Sequence, residues 1–123
     1  MKYHQSAKTS ISLKISSLNN IQNTSVSHNS RIKKKILVSN GEINNITGFS
    51  VAVFPPGEIA HAHCHIDMTE VFFIKSGNGT ITIDGKSFDL EPGMCVTVEP
   101  GELHELKNLG TTDLTVMYFG INS

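Results

Sequence analysis

The chain has 123 residues, of which 38% are hydrophobic and 17% charged, and its formal net charge is −1 at pH 7. This length suits one domain that buries roughly two-thirds of its unfolded surface, and no apolar run approaches the ~18 residues that a membrane-spanning helix needs. The spacing of the two cysteines, Cys64 and Cys95, does not demand a disulfide, so we expect a reduced, cytoplasmic protein.

The small net charge conceals two parts of opposite sign. Residues 1–41 carry seven lysines and arginines and no acidic residue, whereas residues 42–123 carry three lysines and all eleven acids. The net charges of the two parts are therefore +7 and −8. A basic stretch of this kind can contact nucleic acid or anionic lipid, but it is more often a solvated face. We therefore expect neither a nucleic-acid nor a membrane partner.

The first 30 residues are rich in Ser, Asn, Thr and Gln and contain no Gly or Pro, a composition typical of disordered segments. Within them, Ser10–Ser16 alternates polar and apolar residues, which indicates a half-buried strand, although a helical stripe also fits. Three interpretations stay open: a disordered basic tail, a strand that pairs with a sheet edge of this or a neighbouring subunit, or an organellar import leader. We therefore separate a polar basic arm, residues 1–30, from a domain formed by residues 31–123. The charge of the arm and the alternation of Ser10–Ser16 predict that it docks on the acidic domain, preferentially that of a neighbouring subunit.

The rest of the chain alternates short β-branched and aromatic runs with turn residues. All ten glycines and all four prolines lie after residue 40. Many short strands with Gly/Pro turns are typical of a sandwich or barrel, so the predicted fold class is all-β. The predicted strands lie near residues 32–39, 46–54, 59–65, 69–75, 79–84, 86–90, 94–98, 103–108 and 112–119.

Four residues of metal-ligand type follow one another along these strands: His63, His65, Glu70 and His104. Imidazole nitrogen and carboxylate oxygen suit divalent first-row metals. His63 and His65 are two positions apart, so on the predicted strand 59–65 their side chains project from the same face. Glu70 follows a short connection, and His104 comes from a different strand. A small barrel or sandwich can bring such residues to one point.

The residues around these ligands resemble the two motifs of the cupin superfamily. Residues 57–77 match G-x5-H-x-H-x3,4-E-x6-G at every specified position. Residues 93–108 match G-x5-P-x-G-x2-H-x3-N except that Glu99 stands where proline is usual. The resemblance implies a single-domain double-stranded β-helix, or jelly-roll barrel, and one divalent ion (Fe, Mn, Ni, Co or Zn). It also implies that the metal is held by His63, His65, Glu70 and His104.

His61 shares the predicted strand face of His63 and His65. If His61 and His63 were the paired ligands, six residues would separate them from Glu70, which is longer than the family pattern allows. His61 is therefore predicted to be a catalytic or substrate-facing group, with a position at the barrel rim as the alternative. The opposite face is predicted to carry the small residues Ala60, Ala62 and Cys64. This face, unpaired sheet edges and the family resemblance all predict a homodimer.

The resemblance implies an enzyme that acts on a small organic molecule by dioxygenase, lyase, isomerase or cyclase chemistry. The metal would hold oxygens of the substrate while His61 or a pocket tyrosine moves a proton. The alternative, from another class, is a non-enzymatic small-molecule-binding or sensor module. One fold supports many reactions, and the sequence carries no substrate signature that separates these two.

Overall fold

The computed structural model describes residues 14–123, which form almost entirely strands and turns. No helix in this range is long and apolar enough to cross a membrane. A short 3-10 turn at Leu18–Asn20 precedes the first strand. The strands are β1 Thr24–Val26, β2 Asn29–Val38, β3 Ile46–Phe54, β4 Ile59–His63, β5 Met68–Ser76, β6 Gly79–Ile83, β7 Lys86–Leu90, β8 Cys95–Val98, β9 His104–Lys107 and β10 Leu114–Asn122.

Two antiparallel sheets enclose the core, which confirms the predicted all-β class. The six-stranded sheet has the order β1-β2-β3-β10-β5-β8, and the four-stranded sheet has the order β4-β9-β6-β7. Burying apolar side chains between the two sheets is the main stabilising contribution. The core residues are Ile32, Ala52, Phe54, Phe72, Ile74, Ile81, Leu90, Val98, Leu106, Leu114 and Val116.

All nine predicted strands are present, with small differences at their ends. The strand predicted over 59–65 ends at His63, so His65 lies in the following connection. β1 was not predicted; it has three residues, too few for a visible alternation, and it pairs with β2, where Ser25 lies opposite Lys33. β1 lies within the stretch assigned to the arm, so the six-stranded sheet includes residues before position 31.

The predicted alternating strand Ser10–Ser16 lies mostly outside the described residues, and its described part is not in a strand. Among residues 14–123, two ion pairs join the basic N-terminal part to the acidic part of the same chain. Lys14 Nζ lies 3.1 Å from Glu42 Oε1, and Arg31 Nη1 lies 3.6 Å from Glu58 Oε2. Both basic side chains are mostly exposed, so these pairs contribute little to stability. Docking of residues 1–13 stays a prediction.

Asn108 joins the connection between β3 and β4 to the connection between β9 and β10 by hydrogen bonds. Its side chain is fully buried, and its amide donates hydrogen bonds of 2.8 Å to the carbonyls of Phe54 and Thr112. Its own backbone carbonyl accepts a hydrogen bond from the N–H of Gly57 at 2.9 Å. The final asparagine of the second motif therefore anchors the glycine that begins the first, because buried carbonyls need donors.

Candidate metal centre

The candidate centre lies between the two sheets. His63 is the last residue of β4, and it pairs with His104, the first residue of β9, in the four-stranded sheet. Glu70 lies on β5 of the six-stranded sheet. One ligand atom from each of these three residues lies within 4.8 Å of the other two. Residues from distant parts of the chain therefore present their ligand atoms to one point.

Two buried polar atoms at this point have no hydrogen-bond partner. Nε2 of His104 and Oε1 of Glu70 lie 3.0 Å apart, and neither makes a hydrogen bond of acceptable geometry. The His104 side chain is 1% exposed and that of Glu70 is 12% exposed. Buried polar atoms in folded proteins almost always have a partner. This pair therefore needs a proton or a cation between its two atoms.

Backbone carbonyls fix the orientation of two of the imidazole rings. Nδ1 of His63 lies 3.0 Å from the carbonyl oxygen of His61, and Nδ1 of His104 lies 3.1 Å from that of Glu102. A carbonyl oxygen only accepts hydrogen bonds, so each ring donates from Nδ1. In the neutral ring, Nε2 then carries the free lone pair. A hydrogen bond from the second ring nitrogen to a carbonyl is the usual support of a metal-binding histidine.

These distances and donors fit a divalent metal ion. First-row metals bind nitrogen and oxygen at about 2.0–2.2 Å, which places neighbouring ligand atoms about 3 Å apart around the metal. The separation of 3.0 Å between His104 and Glu70 agrees with this spacing. A lone pair facing a carboxylate oxygen repels it, and a cation between the two would convert that repulsion into two bonds.

The environment shifts the pKa of His104 upward. Burial opposes the charged imidazolium and is the largest single influence, but the Glu70 carboxylate and the Glu102 carbonyl together outweigh it. The pKa of His104 therefore lies above its ordinary value of 6.5. Without a metal, the pair holds a proton to a higher pH than a free histidine would.

His65 lies next to this group but outside the set of three mutually close ligands. Its Nε2 is 3.6 Å from Glu70 Oε1, and its ring centroid is 5.2 Å from that of His63. Its side chain is 39% exposed. The carbonyl of His65 accepts a hydrogen bond of 2.7 Å from the N–H of Gly101, which attaches this connection to the second motif. Ligation by His65 stays a prediction.

A β-bulge changes the surroundings of His61. Ala60 pairs with Leu106 and His63 with His104, so two residues of β4 oppose one residue of β9. The rule that alternate residues share a face does not hold across such a bulge. The His61 side chain is 71% exposed, and its Nδ1 lies 3.8 Å from Glu105 Oε1. Its catalytic role stays a prediction.

The bulge also separates the small residues that were predicted to share one face. Ala60 packs against the core, whereas Ala62 and Cys64 are exposed. Both cysteines, Cys64 and Cys95, are exposed free thiols. The expected continuous face of Ala60, Ala62 and Cys64 is therefore wrong, because it relied on uninterrupted alternation.

Two features of the site were not foreseen. The carbonyls that orient His63 and His104 each belong to the residue two positions earlier in the chain. The sequence carries no signal for them, because every residue has a carbonyl. The second feature is the position of Tyr118, whose ring stacks on Phe72, which in turn lies 5.8 Å from the ring of His104. The surroundings of Tyr118 depend on which strands flank β10, and the sequence does not specify these.

Comparison with known proteins agrees with this fold. Residues 50–120 match the family model described as the cupin domain. Over 66 residues, 54% of the chain, it is 32% identical to an oxalate-binding protein of Thermotoga maritima and 27% identical to an uncharacterized protein of Methanocaldococcus jannaschii. These matches cover 54% and 53% of the relatives, so the matched region spans about half the length of either curated protein.

Solved structures give the same result over more of the chain. A predicted oxalate decarboxylase from Thermotoga maritima superimposes with a TM-score of 0.83 at 24% identity, over 89% of this chain and 99% of that one. A sugar phosphate isomerase from Silicibacter pomeroyi superimposes with a TM-score of 0.74 at 16% identity, over 87% of this chain and 74% of that one. Likeness at these identities shows a shared jelly-roll fold, and fold alone does not define activity.

Proposed function

Because this chain belongs to the cupin family, we propose that it binds one divalent metal ion and acts there as an enzyme on a small organic molecule. The metal ligands in this proposal are His63, His65, Glu70 and His104. The observation that carries it is the buried, unpartnered pair of His104 Nε2 and Glu70 Oε1 at 3.0 Å. Leaving both atoms unpaired would cost several kcal/mol, at about 1–3 kcal/mol for each, and a bound cation removes that cost.

The ligand set determines which molecules such a centre would attract. A bound divalent ion would supply Lewis acidity, which polarises an oxygen of the molecule it holds. Three neutral imidazoles and one carboxylate leave a net charge of +1 at the centre, which favours an anion with oxygen donors. The chain itself holds His63 and His104 by their Nδ1 hydrogen bonds. Phe72 lies against the His104 ring on the core side and keeps water from that side.

The names of similar proteins support small carboxylates as the ligand class. One relative is an oxalate-binding protein, and one similar structure is described as a predicted oxalate decarboxylase. The first name favours a second candidate function for this chain, a binding module without turnover. The second favours lyase chemistry among the four enzyme classes considered. We propose that the chain is an enzyme that converts such a molecule, and that this reaction takes place in the cytoplasm.

Metal analysis of purified variants tests the centre. We expect about one metal equivalent per chain in the native protein and a large loss in His104→Ala and in the His63→Ala, His104→Ala double variant. The barrel should stay folded by circular dichroism, because most of its stability comes from apolar burial. His28→Asn is the matched control, since His28 is exposed in the β1–β2 turn with a φ of 70°, which asparagine tolerates. Full metal retention in the double variant would contradict the proposal.

Incubation with small carboxylic acids separates the enzyme from the binding module. The metal-loaded native protein is mixed with small mono- and dicarboxylic acids, oxalate among them, and each is quantified over time. An enzyme of this class consumes at least one of them, and His104→Ala does not. Saturable binding with complete recovery of every acid would instead establish the binding module.

We also propose that the chain forms a homodimer, through the outer face of the six-stranded sheet. Phe73 projects from β5 on the side opposite the buried Phe72 and Ile74, and it is 41% exposed. In register with it lie Met117 on β10 and Cys95 on β8. Ile121, also on β10, is 39% exposed. A contiguous apolar face of this kind commonly marks a protein interface.

A further inference from the structure

The inner face of β10 becomes partly exposed at Tyr118. Leu114 and Val116 project from this face and are buried, at 0% and 1% exposure. Tyr118 is the next residue on the same face, yet it is partly exposed. Its cross-strand partners are Ser50 on β3 and Phe72 on β5, and both are buried. The inner face of β10 is therefore less completely covered at Tyr118 than at Leu114 and Val116.

Tyr118 lies close to the candidate centre. Its ring stacks on Phe72 with centroids 5.8 Å apart and planes at 25°, and Phe72 lies 5.8 Å from the His104 ring. Two residues further along β10, Gly120 pairs with Glu70. Residues i and i+2 of a strand share a face, so Tyr118 and the backbone opposite Glu70 line the same inner surface.

The tyrosine hydroxyl is a neutral group. Burial and then the negative charge of Glu70 raise the pKa of Tyr118 to about 12, against a smaller lowering by the Ser50 hydroxyl. The phenol therefore keeps its proton at physiological pH and can donate it in a hydrogen bond. Glycine at position 120 presents no side chain to the interior. The side chains of Thr47 and Met68 lie against it and occupy the space that a side chain at position 120 would need.

We propose that the Tyr118 hydroxyl binds the substrate, by donating a hydrogen bond to one oxygen of a small carboxylate held at the metal centre. This inference rests on the proposed function. A bound metal would contact some oxygens of such a molecule, and a neutral donor on the same sheet as Glu70 would satisfy another. A site built to hydrogen-bond an oxygen discriminates strongly against analogues that lack it. Tyr118 would thus select molecules with an oxygen beyond those that bind the metal.

Binding of oxalate to the manganese-loaded protein provides the test. Native protein, Tyr118→Phe and Thr115→Val are compared by metal analysis and by isothermal titration calorimetry with oxalate. Thr115 is the matched control, because it lies on the same strand but outside the inner face. We expect one metal equivalent in all three, and oxalate binding at least tenfold weaker in Tyr118→Phe alone, as the loss of a hydrogen bond to a charged group predicts.

A second measurement uses the native side chain. The chain contains two tyrosines and no tryptophan, so in a Tyr3→Phe background the near-ultraviolet absorbance of tyrosine reports Tyr118 alone. Adding oxalate to the manganese-loaded protein should shift this absorbance. Unchanged oxalate affinity in Tyr118→Phe, no shift on saturation, or no oxalate binding by the metal-loaded native protein would each overturn the inference while leaving the metal site intact. Failure of the native protein to take up any metal would overturn the proposed function as well.

Discussion

At the scale of single residues, the candidate centre depends on the backbone that precedes each histidine. The carbonyls of His61 and Glu102 hold the Nδ1 atoms of His63 and His104. Each Nε2 is thereby left as an acceptor, and that of His104 faces the Glu70 carboxylate. Two acceptors at close range are stable only with a positive species between them. We therefore expect the centre to hold a proton when no metal is bound and to release it when a metal ion binds.

This alternation predicts opposite pH dependences with and without metal. A group whose pKa is higher in the folded than in the unfolded state stabilises the fold below its unfolded pKa, and the contribution disappears as pH rises through the folded pKa. His104 is such a group. The metal-free protein should therefore lose thermal stability as pH rises above about 6.5. The protein with added Mn²⁺ should gain stability, because the metal needs deprotonated ligands.

The midpoint of thermal unfolding, measured in EDTA and in Mn²⁺ across this pH range, tests both pH dependences. Glu70→Gln is the control, because it removes the carboxylate that raises the pKa of His104 while keeping the size of the side chain. Its metal-free pH dependence should be weaker than that of the native protein. Equal pH dependences in the two metal-free proteins would exclude the His104–Glu70 pair as the cause.

The positions of the candidate ligands could be predicted from the sequence, whereas the backbone hydrogen bonds that orient their rings could not. Histidine and glutamate at the spacing of the two motifs indicate metal ligation. His63, Glu70 and His104 could therefore be proposed as neighbours, and their ligand atoms do lie close together. The surroundings of His61 could not be predicted, because a bulge depends on the partner strand. A pocket tyrosine could be expected, but the place of Tyr118 beside Phe72 could not, since its neighbours come from β3 and β5.

At the scale of elements, the turn between β5 and β6 brings its backbone very close to the start of β10. Gly77 has a φ of +84°, a left-handed conformation that side chains disfavour. A methyl group there would collide with the carbonyl oxygen of Asp113 and lie 2.8 Å from Cα of Leu114. Both are backbone atoms at the start of β10, whose Leu114 side chain is in the core, so they cannot move away cheaply.

Gly77→Ala should therefore destabilise the fold strongly. We expect a loss of roughly 3 kcal/mol or more, from about 1–2 kcal/mol of conformational cost and the further cost of displacing backbone. Gly85→Ala is a matched control, because Gly85 has the same φ of +84° with no atom within 4 Å of an added Cβ. It should lose only the conformational part. Urea unfolding measures both, and equal losses would show that the contact with β10 does not matter.

Nine strands were predictable because short β-branched and aromatic runs lie between turn residues. β1 was missed because its three residues are too few to show alternation, and its pairing with β2 forms it. The ends of strands are also set by partners: β4 stops at His63, where its pairing with β9 ends.

At the scale of the whole molecule, the jelly roll brings together two motifs that are far apart in the chain. Strand β10 lies between β3 and β5, although it is the last strand in the chain. No local signal specifies this order, and the family resemblance predicted a jelly-roll barrel without a strand order. The same order creates the outer apolar face around Phe73 through which we propose dimerisation.

Phe73→Glu should weaken the dimer by placing a charge in an apolar interface. The variant should sediment as a monomer at concentrations where the native protein is a dimer. Phe88→Glu is the matched control, because Phe88 is 51% exposed on β7 of the other sheet, and it should leave the dimer intact. A native protein that sediments as a monomer at all concentrations would contradict the dimer, and a dimer that tolerates Phe73→Glu would contradict this interface.

We propose above all that a single metal ion lies between the two sheets. Anomalous X-ray scattering from crystals of the native protein can locate that ion. Data collected on both sides of the absorption edge of the metal found by elemental analysis locate that element alone. We expect one anomalous peak per chain, about 2.0–2.2 Å from Nε2 of His63, Nε2 of His104 and a carboxylate oxygen of Glu70, with the ring of His65 turned toward it. A site with no anomalous peak, and a proton shared between His104 and Glu70 in its place, would contradict it.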